Sequence, residues 1–175
     1  MNRLDHDEAS LHVEADAGLL YDLVSDVART PEWSPEVISC AWLGGADRAA
    51  VGARFTARNR RRWLTWSNRP VVETADRGRQ FAITRAEPGG GTIRWSYRLV
   101  PDDAGTTVTL SYDVLRPASA GLHLTLRLLF GVRDLRADLH QNMQTSLRRL
   151  AEVARCEAAG PPSQAQAGDP PQSRE

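Results

Sequence analysis

The sequence contains no lysine, since all 22 of its basic residues are arginine. This absence excludes the chemistries that need a lysine amine, including Schiff-base catalysis, pyridoxal phosphate sites and phosphate loops with an essential lysine. The basic residues are balanced by 22 acidic residues, so the formal net charge is zero. A neutral chain has no overall field that attracts nucleic acid or an anionic membrane surface.

Cysteine and long apolar runs are also scarce. The two cysteines, Cys40 and Cys156, are far apart, which argues against a disulfide framework or a zinc cluster. No apolar run approaches the roughly 18 residues of a membrane-spanning helix, and no signal peptide opens the chain. We therefore predict a cytoplasmic protein without metal, other cofactor, nucleic-acid partner or stable membrane insertion. The pattern leaves the oligomeric state open.

Bulky apolar residues are missing from the end of the chain, 158–175, which is rich in Pro, Gly, Gln and Ser. Such a segment cannot bury enough surface to offset the entropy lost on ordering, so we predict a disordered tail. Residues 1–8 are predicted to form a flexible N-terminus. The remaining stretch, 9–157, is long enough for one domain with its own core.

The domain begins with a short strand and two short helices. Leu11, Val13 and Ala15 alternate with polar residues and indicate the strand, and Asp16 is suited to cap a helix over 17–26. The two prolines of the segment ARTPEWSPEV predict a second, short helical turn followed by a break.

Period-two alternation then continues to about Arg116 and predicts six further strands. Their approximate positions are Val37–Leu43, Ala53–Arg58, Trp63–Thr74, Gln80–Thr84, Ile93–Leu99 and Thr107–Val114. Alternation of this kind is typical of an antiparallel sheet with one covered face. From Ala120 to Glu157 apolar residues recur every three or four positions, which predicts a long C-terminal helix that Gly131 divides.

This order of elements predicts an α+β fold of the helix-grip type. A curved antiparallel sheet of about seven strands wraps around the long helix and leaves a cavity between them. Three local stretches carry a resemblance to a known family: YDLVSDVARTPEWSPEV at 21–37, VGARFTARNR at 51–60 and WSYRLVP at 95–101.

Through these stretches the sequence resembles the START-like (SRPBCC) superfamily, which includes Bet v 1-type proteins. It looks closest to a bacterial branch of polyketide cyclase/dehydrase-like proteins, over residues 9–156. The resemblance implies a helix-grip fold with a hydrophobic ligand cavity. It implies no particular reaction, since members include enzymes, lipid carriers and binding proteins.

Candidate ligand-binding residues share the inward face of the strands or lie near the cavity mouth. They are Trp33, Phe55, Asn59, Trp66, Phe81, Ile83, Trp95, Tyr97 and Tyr112. Flat aromatic faces suit a ring or polyene ligand, and plain packing against the long helix is the alternative for each. Asn59 is a candidate for orienting a carbonyl or carboxylate, with a role in a turn as its alternative.

Other polar residues carry weaker predictions. Arg85 shares the inward face of its strand, but a buried guanidinium without a partner is costly, so we expect it at a strand end in water. Arg58–Arg62 are expected to form a solvated hairpin end rather than a phosphate or partner contact. No nucleophile–base pair can be named from the spacing, and His123, Tyr97 and Tyr112 are the candidates for proton transfer.

The sequence therefore predicts a protein that binds a small hydrophobic, aromatic or lipid-like ligand in its cavity. One alternative is a polyketide cyclase/aromatase-like enzyme that uses the same cavity, which needs convergent polar side chains inside it. The other is a protein-interaction module, which a cavity filled by side chains or a large exposed apolar patch would favour.

Overall fold

The structure is a computed structural model that describes residues 5–87, 90–117 and 135–159. It begins with strand β1 (His6–Val13), helix α1 (Ala17–Ser25) and a 3₁₀ helix (Val27–Glu32). Seven strands follow within the described residues: β2 (Val37–Trp42), β3 (Phe55–Arg61), β4 (Leu64–Asn68), β5 (Val71–Asp76), β6 (Gln80–Ala86), β7 (Thr92–Asp102) and β8 (Gly105–Arg116). The last described element is helix α2 (Leu135–Ala158).

The described strands form two antiparallel sheets that meet at one place. One sheet has the order β1-β8-β7-β6-β5 and the other the order β2-β3-β4. They meet where the start of β3 approaches β5, since the Val72 N–H donates to the Ala53 carbonyl at 2.9 Å. Helix α2 packs against β1 and β8 and reaches α1 and the 3₁₀ helix. The result is the α+β helix-grip architecture that the alternation predicts.

One predicted strand is two strands in the structure. The segment predicted as one strand over Trp63–Thr74 is divided at Arg69 and Pro70 into β4 and β5. Proline has no N–H to donate to a ladder, so it interrupts pairing inside a sheet. At this break the chain changes its pairing partner, since β4 pairs with β3 and β5 pairs with β6.

The first elements confirm one expectation and correct another. Asp16 caps α1, since its carboxylate accepts hydrogen bonds from the backbone N–H groups of Gly18 at 2.7 Å and Leu19 at 3.2 Å. Strand β1 begins at His6, which pairs with Asp113 of β8. The ordered strand therefore extends into the segment 1–8 that the sequence predicts to be flexible.

The core lies between the larger sheet and the helices. Helix α2 buries one stripe along its length: Met143, Leu147, Leu150, Ala151 and Ala154. Each large side chain buried in this way stabilises the fold by about 1.5–3 kcal/mol. The helix ends at Ala158, and the rest of the predicted tail, from 160, lies outside the described residues. The same holds for the predicted helical segment 120–134, which includes Gly131 and His123.

Within the described ranges, no helix combines the length and the apolar character that crossing a membrane requires.

Candidate ligand cavity

A cavity of about 120 Å³ lies between the sheets and the helices. Side chains from α1, the 3₁₀ helix, β2, β3, β6, β7, β8 and α2 line it. An apolar cavity of about 150 Å³ in another protein accepts benzene, so this volume is on the scale of one ring. The described side chains therefore leave a space of molecular size between the sheets and the helices.

One side of the cavity is an apolar wall, formed by Phe55, Phe81, Ile83, Leu110 and Met143. Strand register explains why these side chains meet. Phe81 of β6 lies opposite Tyr97 of β7, and Tyr97 lies opposite Leu110 of β8. Residues directly opposite on neighbouring strands point to the same face, so the three strands present one continuous surface.

Tyr97 lines the cavity beside this wall. Burial raises the pKa of Tyr97 to about 12, and only the nearby Trp33 indole opposes the shift. The Trp33 Nε1 and the tyrosine hydroxyl do not reach hydrogen-bond geometry. The hydroxyl therefore stays protonated near neutral pH and keeps its hydrogen-bond donor.

The other side of the cavity holds a polar cluster, formed by Glu36, Asn59, Arg85 and Asn142. Asn142 Nδ2 donates to Glu36 Oε1 at 3.0 Å, and Arg61 Nη1 lies 3.7 Å from the same oxygen. Burial raises the pKa of Glu36, although the positive charges of Arg85 and Arg61 oppose the shift. A carboxyl of this kind takes up a proton more readily than an exposed one.

The sequence argument expects the Arg85 side chain to lie in water, and the structure contradicts this expectation. Its Nε donates to Glu87 Oε1, and the two side chains are only 15% and 14% exposed. Its guanidinium carbon lies over the Trp95 ring, 5.4 Å from the centroid. The expectation is wrong because it assumes a missing partner, and Glu87, two residues further along the chain, supplies one.

Asn59 is fully buried in β3, so its alternative role in a turn is also wrong. Its Nδ2 donates to the Ala57 carbonyl at 3.3 Å. That contact fixes the orientation of the amide, because a flipped amide would place the Asn59 Oδ1 against the Ala57 carbonyl oxygen. Asn59 Oδ1 has no hydrogen-bond partner within the described part of the chain, and the same is true of the indole N–H of Trp95.

The structure places the nine predicted residues in two groups. Six line the cavity: Phe55, Asn59, Phe81, Ile83, Trp95 and Tyr97. Trp33 is buried near Tyr97, and Trp66 is half-buried on β4, opposite Asn59. Tyr112 is fully buried and packs on Trp95, with ring centroids 5.3 Å apart. Contact of any of these residues with a ligand stays a prediction.

Several lining residues escape the sequence argument. Glu36 lies just before β2, where no alternation assigns it to a face. Asn142 follows Leu139 by three positions, and Ser146 follows Asn142 by four, so both lie on the apolar stripe of the helix. Polar residues on an apolar stripe are the sequence signal that could have identified them as cavity-lining residues. Cys40 also lines the cavity, and burial raises its pKa to about 11, which keeps the thiol protonated rather than nucleophilic.

The basic hairpin is solvated only in part. Arg58 and Arg60 are exposed on the outer face of β3, as expected. Arg61 turns towards helix α2 instead, where its Nη2 donates to Asp138 Oδ2 at 2.5 Å. This ion pair connects the β3–β4 hairpin to α2 next to the polar cluster.

Comparison with known proteins gives one family and a set of similar folds. The model of the family "Polyketide cyclase / dehydrase and lipid transport" matches residues 7–155. No curated protein matches the sequence.

Three solved structures illustrate the shared fold. The di-domain ARO/CYC StfQ from the steffimycin biosynthetic pathway has a TM-score of 0.69 and 16% identity, covering 89% of this chain and 51% of that chain. A START superfamily protein from Mycobacterium smegmatis has a TM-score of 0.62 and 15% identity, covering 86% and 97%. Protein CV1439 from Chromobacterium violaceum has a TM-score of 0.61 and 15% identity, also covering 86% and 97%. At these identities the likeness establishes the fold alone.

Proposed function

Because this chain belongs to the polyketide cyclase/dehydrase and lipid transport family, we propose that it binds a small hydrophobic, aromatic or lipid-like molecule in its cavity. The unfilled space behind the apolar wall is the observation that carries this proposal. Ligand sites are concave, mostly apolar and furnished with a few placed polar groups, and this cavity has all three properties. A cytoplasmic location and the lack of a nucleic-acid partner remain predictions.

The unfilled cavity also weighs against a protein-interaction module. That hypothesis is favoured when side chains fill the space, because the fold then has no internal site to offer. Here Phe55 and Phe81 border open volume instead of closing it.

Filling the cavity tests the proposal. Ala57 is 3% exposed and lines the cavity, so Ala57→Phe places a ring in the space that a ligand would occupy. Arg58→Phe is the matched control, because it adds the same ring to the exposed outer face of β3. We expect NMR titration with toluene and phenol to give saturable binding to the wild type and to Arg58→Phe, and none to Ala57→Phe.

Absence of saturable binding in the wild type, together with no ligand in native mass spectra of protein purified from its own host, would contradict the proposal. Equal binding to the wild type and Ala57→Phe would place the ligand elsewhere on the surface.

The polar cluster favours a second candidate, an enzyme of the polyketide cyclase type. Glu36 would accept a proton from the carbon next to a substrate carbonyl, and the Tyr97 hydroxyl would donate a hydrogen bond to the enolate oxygen. The raised pKa of Glu36 suits a base that works near neutral pH. A small β-diketone is a direct probe, because deuterium exchange at its central carbon follows enolisation. Exchange no faster than in buffer, or equally fast in Glu36→Gln, would contradict this candidate.

A further inference from the structure

The polar side of the cavity contains groups whose hydrogen-bonding needs are unmet. Among the described residues, Asn59 Oδ1 is a buried acceptor without a partner, and Trp95 Nε1 is a buried donor without one. Both side chains line the cavity, and Asn59 has no exposed surface. A buried polar atom left unpaired costs about 1–3 kcal/mol. A ligand group that supplies the missing partner recovers part of that cost on binding.

The amide of Asn59 determines which partner is missing. Its Nδ2 is already engaged by the Ala57 carbonyl. The free atom is a carbonyl oxygen, which only accepts hydrogen bonds. A ligand group that pairs with this oxygen must therefore be a hydrogen-bond donor, such as a hydroxyl or an amide N–H.

The charges around the cavity favour an uncharged ligand. Arg85 is paired with Glu87, and Arg61 with Asp138. Glu36 adds a third carboxylate against these two guanidinium groups. Among the described lining residues Arg85 is the only cation. A ligand carboxylate would thus enter a space whose positive charges are already compensated, and burial of an unpaired charge is strongly unfavourable.

From these contacts we infer that the ligand is an uncharged ring compound with a hydrogen-bond donor, that Asn59 Oδ1 accepts from that donor, and that carboxylates are rejected. This inference rests on the proposed function and specifies the ligand class of the same cavity. The apolar wall binds the ring, and the polar cluster selects its substituent.

Two pairs of probe molecules with matched shapes test the hydrogen bond to Asn59 and the rejection of carboxylates separately. Phenol carries a hydroxyl group where toluene carries a methyl group. Benzamide carries an amide where benzoate carries a carboxylate. Each is titrated at neutral pH, following the Trp95 indole N–H in ¹H–¹⁵N NMR spectra. We expect the ratio of phenol to toluene affinity to fall about tenfold in Asn59→Leu, the effect of one hydrogen bond.

Asn68→Leu is the matched control. Asn68 is also buried without side-chain partners, on the neighbouring strand opposite Ala57, but it does not line the cavity. We expect its phenol-to-toluene ratio to equal that of the wild type. Toluene binding to Asn59→Leu shows that the variant is folded and its cavity open.

The second pair tests charge without relying on Asn59. We expect the wild type to bind benzamide at least about 100-fold more tightly than benzoate. In Glu36→Gln the ratio of benzoate to benzamide affinity should rise about tenfold, since one negative charge is removed.

The outcomes distinguish the two proposals. If none of the four probes binds, the proposed function fails. If toluene binds but the phenol-to-toluene ratio is the same in Asn59→Leu and the wild type, or benzoate matches benzamide, the inference is overturned while the proposed function stands.

Discussion

The apolar wall and the polar cluster line the same cavity, but they are held in place by different contacts. In the wall, Phe81 of β6 and Leu110 of β8 lie on the same face of the sheet, because both are paired with Tyr97 of the strand between them. In the cluster, Glu36 is held by Asn142 from a helix that lies more than a hundred residues further along the chain. Within the described ranges, the wall contains no buried side-chain N or O atom without a hydrogen-bond partner, whereas the cluster contains one, the oxygen of Asn59.

This difference separates stability from selectivity. Burial of the wall residues favours folding, because apolar surface leaves water. The cluster contains a half-buried carboxyl and a buried amide oxygen without a partner among the described residues, both of which oppose folding in the absence of a ligand. Violations of local packing rules are expected at functional sites, so the cluster is where ligand selectivity is to be sought.

The largest expected effect comes from truncating the wall. Phe81 is 4% exposed, and Phe81→Ala should lower the free energy of unfolding by about 3 kcal/mol through lost burial and an enlarged cavity. Val100→Ala on the exposed face of β7 is the control, with an expected change within about 0.5 kcal/mol. Urea denaturation measures both. Similar values for the two variants would show that the wall does not stabilise the fold.

An intermediate effect is expected in the polar cluster. Arg85→Leu leaves the Glu87 carboxylate poorly exposed and without its partner, so we expect a loss of about 2 kcal/mol in the free energy of unfolding. The double variant Arg85→Leu/Glu87→Leu should recover most of this loss, because it also removes the unpaired carboxylate of Glu87. Chemical denaturation at neutral pH provides the comparison. A double variant as unstable as the single one would show that Arg85 acts through packing on Trp95 rather than through charge.

The smallest effect depends on pH and concerns Tyr97, between the two regions. Its pKa is raised from 10.0 to about 12 in the folded state, so the folded protein holds this proton more tightly than the unfolded chain. The associated stability is complete below pH 10.0 and is lost as the pH rises towards about 12. By about pH 11 the wild type should lose about 1.4 kcal/mol that Tyr97→Phe retains.

Unfolding by urea, measured for both proteins from neutral pH into this alkaline range, tests the prediction. Parallel pH profiles would mean that the Tyr97 hydroxyl reaches solvent and that the cavity is more open than the structure indicates.

The wall could be predicted from the sequence, and most of the cluster could not. Alternation assigns Phe55, Phe81 and Ile83 to one face without any knowledge of their neighbours. Arg85 belongs to the same face, but its burial depends on Glu87 and Trp95, which the alternation of its own strand does not reveal. Glu36 lies outside any periodic segment, so no local pattern places it in the cavity.

The sequence by itself determined the order of elements, the cap of α1 at Asp16 and the inward face of the strands, because these follow from spacing within a few residues. The tertiary structure alone decided that the described side chains leave a cavity open and that Glu36 and Asn142 meet in the cavity that Asn59 also lines. These features arise from contacts between segments distant in the chain, whose partners local periodicity cannot specify. The space for a ligand is thus implied by the pattern, and its polar selectivity is created by the fold.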